Sequence, residues 1–261
     1  TISYPCFDVF ALRWSFRFVA CVVTAVLLVA SWPQLLGLHR VLVFAQLVAL
    51  RGVLAGAGVA GALVVLALAR RSRTAGRVWA LLAVGRFGVA ALNVGVLASR
   101  GLDGSGQGSS SSGTVTILAW NTLGDAPGPA VIANFALGHD VNVLALPETS
   151  RFAALEIGRV MGDGGRPMQV FVEATSAVNK AQSTALLISE GLGEYELDAS
   201  AGSTPFLPSL VARSVDGTGP TFVAAHPVPP VPGRMNAWSG GLEWLADICR
   251  QGDVIVAGDF N

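Results

Sequence analysis

The sequence predicts two unlike halves, an all-α transmembrane bundle of about three helices followed by an α/β domain. Three observations predict this. The 261 residues are enough for about two domains, yet the chain is 52% hydrophobic and only 13% charged. A typical soluble domain carries about 25% charged residues, so part of this chain belongs in lipid. The zero net charge hides a split: residues 1–113 hold ten Lys/Arg and two Asp/Glu, or +8, while residues 114–261 hold seven and fifteen, or −8. Finally, long apolar runs end near residue 98, and short apolar runs separated by turn residues begin near Thr114.

The first predicted span covers about residues 15–32. Its apolar run, FRFVACVVTAVLLVAS, is slightly short for a bilayer crossing. Trp14 and Trp32 extend it as interfacial anchors, and Arg13 and Arg17 stand at its front. A signal peptide is the competing reading, but no A-x-A site followed by a polar region is present. Residues 41–69 are apolar except for Gln46 and Arg51. A charge at mid-membrane is costly, so the second span is placed at 52–69 and residues 33–50 become an interfacial stretch. Gly52, Gly56, Gly58 and Gly61 are spaced for close helix packing, or simply reflect a Gly-rich chain. The third span is 78–98, with Arg86 embedded in it, facing the bundle interior or snorkelling.

Orientation is set by arginine. Arg70, Arg71, Arg73 and Arg77 form the strongest basic loop, which is expected on the cytoplasmic side. Arg13 and Arg17 agree with this, while Arg40 and Arg51 oppose it weakly. The expected location is therefore the plasma membrane, multi-pass, with everything after residue 98 extracytoplasmic. Residues 101–113 (GLDGSGQGSSSSG) read as a Gly/Ser linker. The domain 114–261 follows. Cys6, Cys21 and Cys249 do not suggest a disulfide framework.

Within that domain, TVTILAW (114–120) and VNVLALP (141–147) read as buried strands. PGPAVIANFALG (127–138) reads as a helix, with Pro near its start and Gly138 at its end. Residues 150–161 suggest another helix. MQVFVEA, STALLIS, SLVARS and TFVAAH suggest further strands, residues 235–250 a helix despite two glycines, and DVIVAG a last buried strand. Strands alternating with helices define the α/β class.

Polar residues sit at the C-terminal ends of these strands: Asn121, Glu148, His226, and Asp259 with Asn261. Ligands gather at strand C-termini in α/β folds, so four strands delivering such groups to one edge form a constellation. Each residue alone has a plainer reading, as a turn residue or a helix cap. His226, which precedes Pro227, could simply end a strand. His139 and Asp140 read as a solvated turn, Glu194 and Glu196 as a solvated strand edge, and Asn179 and Lys180 as a loop. Trp238 and Trp244 fit a helix packed on a sheet. The −8 charge argues against general nucleic-acid binding, which usually needs a basic surface.

The motifs LAWNTLG (118–124), VLALPETS (143–150), VAAHPVPP (223–230) and VIVAGDFN (254–261), in this order, resemble the endonuclease/exonuclease/phosphatase superfamily. GDFN after a buried strand is the most specific of them, and the resemblance covers residues 114–261. The three-span N-terminus and the HPVPP…W…GDFN spacing are most similar to membrane-bound bacterial members, including the VanJ-type teicoplanin-resistance proteins. The resemblance implies a four-layer α/β sandwich with a mixed two-sheet core. It implies that Glu148 binds Mg²⁺ or Mn²⁺, with Asn121 assisting at the metal and the phosphate. His226 would hydrogen-bond the scissile phosphate, Asp259 would orient or deprotonate the attacking water, and Asn261 would hold Asp259 and the phosphate.

Two departures from the family pattern stand out. PET replaces the commoner Q-E while keeping the carboxylate, and the family's later S-D-H motif does not occur before Asn261. The domain is therefore expected to be incomplete at its C-terminus, and the 261-residue chain to be inactive by itself. The leading expectation is extracytoplasmic, metal-dependent hydrolysis of a phosphoester, lipid-linked or otherwise at the membrane surface. A surface nuclease acting on external DNA is the second, and a membrane-anchored binding module without catalysis the third.

Overall fold

The computed structural model describes residues 7–71, 76–99, 114–176 and 178–261. Cys6, Arg73 and the predicted linker 101–113 lie outside the described residues. The chain divides into two compact units, residues 1–107 and 108–261.

The first unit is helical: α1 (Phe7–Ser31), α2 (Leu42–Ala49), α3 (Arg51–Arg71) and α4 (Gly76–Ser99). Among the described residues, two stretches are long and apolar enough to cross a membrane, Arg51–Arg70 and Val78–Ser99. The run predicted as the first span lies in α1, where the apolar part, Arg17–Ser31, is shorter than these two. The predicted interfacial stretch 33–50 forms two short 3-10 turns, Pro33–Leu36 and Leu38–Arg40, followed by α2. Ala20 of α1, Val65 of α3, and Trp79, Leu82 and Ala83 of α4 pack into one apolar cluster.

The glycines of α3 divide by role. A Cβ on Gly58 would lie 2.8 Å from the Arg86 carbonyl oxygen, and one on Gly61 would meet the Arg86 guanidinium, so these two let α4 approach closely. Gly52 and Gly56 face open space. Arg86 lines a cavity of about 250 Å³ with Gly61, Val64 and Trp79, so it turns inward between helices. Arg51 is buried in the first turn of α3, where its guanidinium donates to the Ser31 carbonyl oxygen at 3.0 Å. Asn93 of α4, also fully buried, donates to the Ser31 hydroxyl at 2.9 Å. Ser31 thus gathers the only charge in the first turn of α3 and a polar group of α4, which satisfies groups that would be costly in an apolar setting.

The second unit holds two four-stranded mixed sheets. The first has the order β1 (Ile117–Ala119), β2 (Val143–Pro147), β4 (Ser183–Ser189), β3 (Met168–Ala174). Its β1 and β2 are parallel, and the other pairings are antiparallel. The second has the order β5 (Tyr195–Leu197), β6 (Leu210–Ser214), β7 (Thr221–Ala225), β8 (Val254–Gly258). Here β7 and β8 are parallel, Thr221 opposite Val254 through Ala225 opposite Gly258. Residues predicted as strands over 114–120 form a ladder only at 117–119. This strand is at an edge, and flanking groups bond singly instead, Thr116 N–H to Asn142 Oδ1 and Trp120 N–H to the Ala145 carbonyl oxygen.

Alternation along the strands sets the layers. Val143 and Ala145 of β2, with Leu186 and Ile188 of β4, pack between the sheets against Leu210, Phe222 and Ala224. Leu144, Leu146, Ala185 and Leu187 face the other way, against α5 (Pro129–Gly138) and α6 (Arg151–Asp163). On the far face of the second sheet, Val211, Val223 and Ala225 meet Leu245 and Ile248 of α7 (Met235–Cys249). The order of layers is helices, sheet, sheet, helix. α6 starts where the Ser150 hydroxyl caps the Ala153 N–H at 3.2 Å.

Candidate functional site

The C-terminal ends of β1, β2, β7 and β8 meet at one edge, and there Asn121, Glu148, His226 and Asp259 come together. Asn121 Nδ2 donates to Glu148 Oε1 at 3.0 Å and to Asp259 Oδ2 at 2.8 Å. The two carboxylate oxygens are therefore within about 6 Å of each other. The Leu123 N–H donates to Asn121 Oδ1 at 2.9 Å, which fixes the amide with its NH₂ toward the acids and its oxygen on the far side.

Glu148 is held in an uncommon backbone conformation, φ 59°. A non-glycine residue there costs free energy and persists only where the surroundings over-determine it. The surroundings do so: the Glu148 N–H donates to the Ser183 carbonyl oxygen at 2.8 Å, and its carbonyl accepts from the buried Thr122 hydroxyl at 2.9 Å. Thr122 Oγ1 also pairs with the buried Thr149 Oγ1 at 3.0 Å. The turn that carries Asn121 is tied down through Asp125, which accepts from Ser150 N–H at 2.8 Å and pairs with Lys180 Nζ at 2.9 Å. Burial alone would raise the Asp125 carboxyl; the Ser150 and Lys180 hydrogen bonds outweigh it and hold the group below its ordinary range.

His226 is fully buried. Its Nδ1 lies 3.0 Å from Thr184 Oγ1, and its backbone N–H donates to Ser209 Oγ at 2.8 Å. Nε2 is buried and has no hydrogen-bond partner among the described residues. Burial pushes the imidazole pKa down from its ordinary value, and the charges of Asp259 and Glu148 only partly counter this. A neutral imidazole with one unspent nitrogen is therefore set beside two carboxylates.

The GDFN segment is shaped by close approach. Asp259 N–H donates to the Ala225 carbonyl oxygen at 3.0 Å. Gly258 has φ 139°, and a Cβ there would run into the Ala225 backbone, 2.8 Å from its N. The motif's glycine is thus needed for β8 to lie against β7 where Asp259 leaves the sheet. The Asn261 N–H donates to Asp259 Oδ1 at 2.9 Å, while its side-chain amide donates to the Pro227 carbonyl oxygen at 2.9 Å. Asn261 therefore steadies Asp259 through its backbone and anchors the chain through its side chain.

All five residues singled out in the sequence are at this edge. Those with plainer readings lie elsewhere or do structural work. His139 and Asp140 are exposed, with Asp140 paired to Arg166. Glu194 is exposed just before β5 and Glu196 is exposed within it. Trp238 is buried in α7, and Trp244 Nε1 donates to the Ala201 carbonyl oxygen at 2.7 Å. The sequence reading did not identify Thr122, Thr184 and Ser209, the hydroxyls that hold Glu148 and His226. Nothing marks them, since each is a single Ser or Thr at a strand end. The Lys180–Asp125 pair also went unseen, because its partners are far apart in the chain.

Among the described residues, no three His, Cys, Asp or Glu side chains gather at metal-binding distance. What the site offers is two carboxylates joined by one amide. That donor set suits a hard divalent cation such as Mg²⁺, which binds through one or two carboxylates and keeps several waters. Two acids this close repel, and the single NH₂ dipole between them leaves their charge without a full counter-charge.

The chain thus combines a helical unit containing two membrane-length helices with a two-sheet α/β unit bearing a polar strand-end site. No family model matches it, and no curated protein does. Among solved structures it is similar to a functionally unknown conserved protein from Enterococcus faecalis V583, at 11% identity and a TM-score of 0.37. The match covers 56% of this chain and 65% of that one, so the chain spans less than two thirds of that protein's length.

Proposed function

We propose that this protein is a membrane-anchored, metal-dependent phosphoester hydrolase of the endonuclease/exonuclease/phosphatase type, acting on a lipid-linked or other phosphate ester outside the cytoplasmic membrane. The observation that carries the proposal is the Asn121 amide joining Glu148 to Asp259 beside the unspent Nε2 of His226. Glu148 would hold Mg²⁺ or Mn²⁺ through carboxylate oxygens, and Asn121 would assist there. The bound ion would polarise a phosphoryl oxygen and offset its charge.

The chain's own groups do the rest. Asn121 fixes the spacing of the two acids. With Thr184 donating its hydroxyl hydrogen to Nδ1, the imidazole would carry its proton on Nε2. That N–H then hydrogen-bonds a phosphate oxygen and stabilises charge that grows during displacement. Asp259, steadied by the Asn261 N–H, orients the attacking water and accepts its proton. The membrane helices favour a substrate at the lipid surface, and the −8 charge of residues 114–261 weighs against external DNA.

The test uses the full-length gene product reconstituted in lipid. Mn²⁺ binding is read by electron paramagnetic resonance, and phosphate release from a polyprenyl pyrophosphate is measured beside it. Glu148→Ala is expected to weaken Mn²⁺ binding by more than about tenfold, as loss of metal-site groups does, and to abolish release. Equal Mn²⁺ affinity in the two proteins would sink the metal assignment. Turnover confined to soluble esters would sink the lipid assignment. Tight ligand retention without phosphate release would instead support a binding module without turnover.

A further inference from the structure

The α/β unit has eleven exposed large apolar side chains among its described residues. Scattered singly they would mean little. Six of them, however, lie in segments at the edge that carries Glu148 and Asp259: Leu123, Phe152, Val178, Phe206, Val231 and Phe260. Strand directions require this. Leu123 follows β1, Phe152 opens α6 just after β2, and Val178 lies between β3 and β4, at the end of the sheet where Pro147 pairs with Thr184. Phe206 lies between β5 and β6, Val231 follows β7, and Phe260 follows β8. The Thr175 hydroxyl donates to the Phe206 carbonyl oxygen at 3.1 Å, tying two of these loops together across the sheets. Val178 is 92% exposed, Phe152 78% and Leu123 76%, so these are projecting tips.

Charge is sorted in the same way. Arg159, Arg166, Arg213 and Arg250, away from this edge, are each paired with a carboxylate. The remaining cations, Arg151, Lys180 and Arg234, are all at this edge. Lys180 pairs with Asp125, while Arg234 lies 3.8 Å over the Phe206 ring. An acidic domain has therefore placed three of its seven Lys/Arg side chains among apolar tips, around the mouth of its site.

We propose that this edge docks on the bilayer, with the apolar tips entering the boundary between headgroups and acyl chains and Arg151 and Arg234 meeting anionic headgroups. Tips mixed with cations are the composition of an interfacial membrane contact. The tether supplies the occupant. Residues 101–113 join this unit to one with two membrane-length helices, and thirteen residues reach at most about 45 Å, so with those helices in a bilayer its surface is within the tether's reach. The inference deepens the proposed function by making the substrate an amphiphile whose phosphate is presented at the membrane plane. Docking itself does not require hydrolysis, so the two can fail separately.

The test uses the full chain with Cys6, Cys21 and Cys249 replaced by Ser, reconstituted in nanodiscs of phosphatidylcholine and phosphatidylglycerol. An environment-sensitive fluorophore is attached after Phe206→Cys, after Val178→Cys, or after Val215→Cys at the opposite edge. Probes at 206 and 178 are expected to shift their emission to the blue and to be quenched by nitroxide-labelled acyl chains. The probe at 215 should show neither response. Arg151→Glu with Arg234→Glu should abolish the shift at 206, as should pure phosphatidylcholine. Probes at 206 and 178 that behave like the one at 215 overturn the proposal. So does a shift that survives in detergent and tracks protein concentration, which would make the edge a contact between copies.

Discussion

Asn121 shows how one side chain can set a site. Its NH₂ serves both acids because Leu123 N–H occupies its oxygen. Replacing Asn121 with Ala is expected to weaken Mn²⁺ binding by about 10–100-fold, the usual cost of losing a group that orients ligands, while leaving the thermal midpoint near that of the wild type. An unchanged affinity would show that the acids hold their spacing unaided. His226 makes a prediction in pH. Its folded pKa is depressed by burial below the unfolded value near 6.5. The stability it contributes is therefore whole above about pH 6.5 and is lost as pH falls through the folded value. His226→Gln should flatten the fall in midpoint between about pH 7 and pH 5, read by tryptophan fluorescence. Parallel slopes for the two proteins would refute this account.

At the scale of elements, the glycine of GDFN tests why the motif has its form. Gly258 and Gly252 have similar φ, 139° and 134°, but only Gly258 is pressed against another strand. Gly252→Ala should cost about 1–3 kcal/mol from backbone strain alone. Gly258→Ala should cost more, because the Ala225 backbone cannot yield as a side chain can. Equal losses in denaturant unfolding would mean that the close approach contributes nothing. The same contrast explains what was legible in the sequence. The run STALLIS announced a strand that is buried along its whole length; DVIVAG also announced its strand, but β8 is half-buried at a sheet edge rather than fully buried. The strand-end positions of Asn121, Glu148, His226 and Asp259 followed from those runs. Short edge strands were less legible: 114–120 was read too long, because an edge strand is defined by its one neighbour. The hydroxyls of Thr122, Thr184 and Ser209 were invisible, because their role exists only through residues far away in the chain.

For the whole molecule, the charge split makes the topology testable. If the arginine-rich stretch between α3 and α4 is cytoplasmic, as the charge rule predicts, the α/β unit should lie outside, and Cys249 is exposed on that unit. A membrane-impermeant maleimide added to intact cells should label Cys249, identified by peptide mass. Labelling only after permeabilisation would reverse the orientation. The Asn121–Asp259 bond adds a consequence in time. It joins residues 138 apart, from the first strand of one sheet to the last strand of the other. Pairings this distant in sequence form late, since loop closure must precede them. Asn121 and Glu148 can pair once β1 lies on β2, but Asp259 joins them only when β8 has docked on β7. The two carboxylates of the candidate site thus come together late, and a chain whose β8 has not yet docked has the parts of the site but no site.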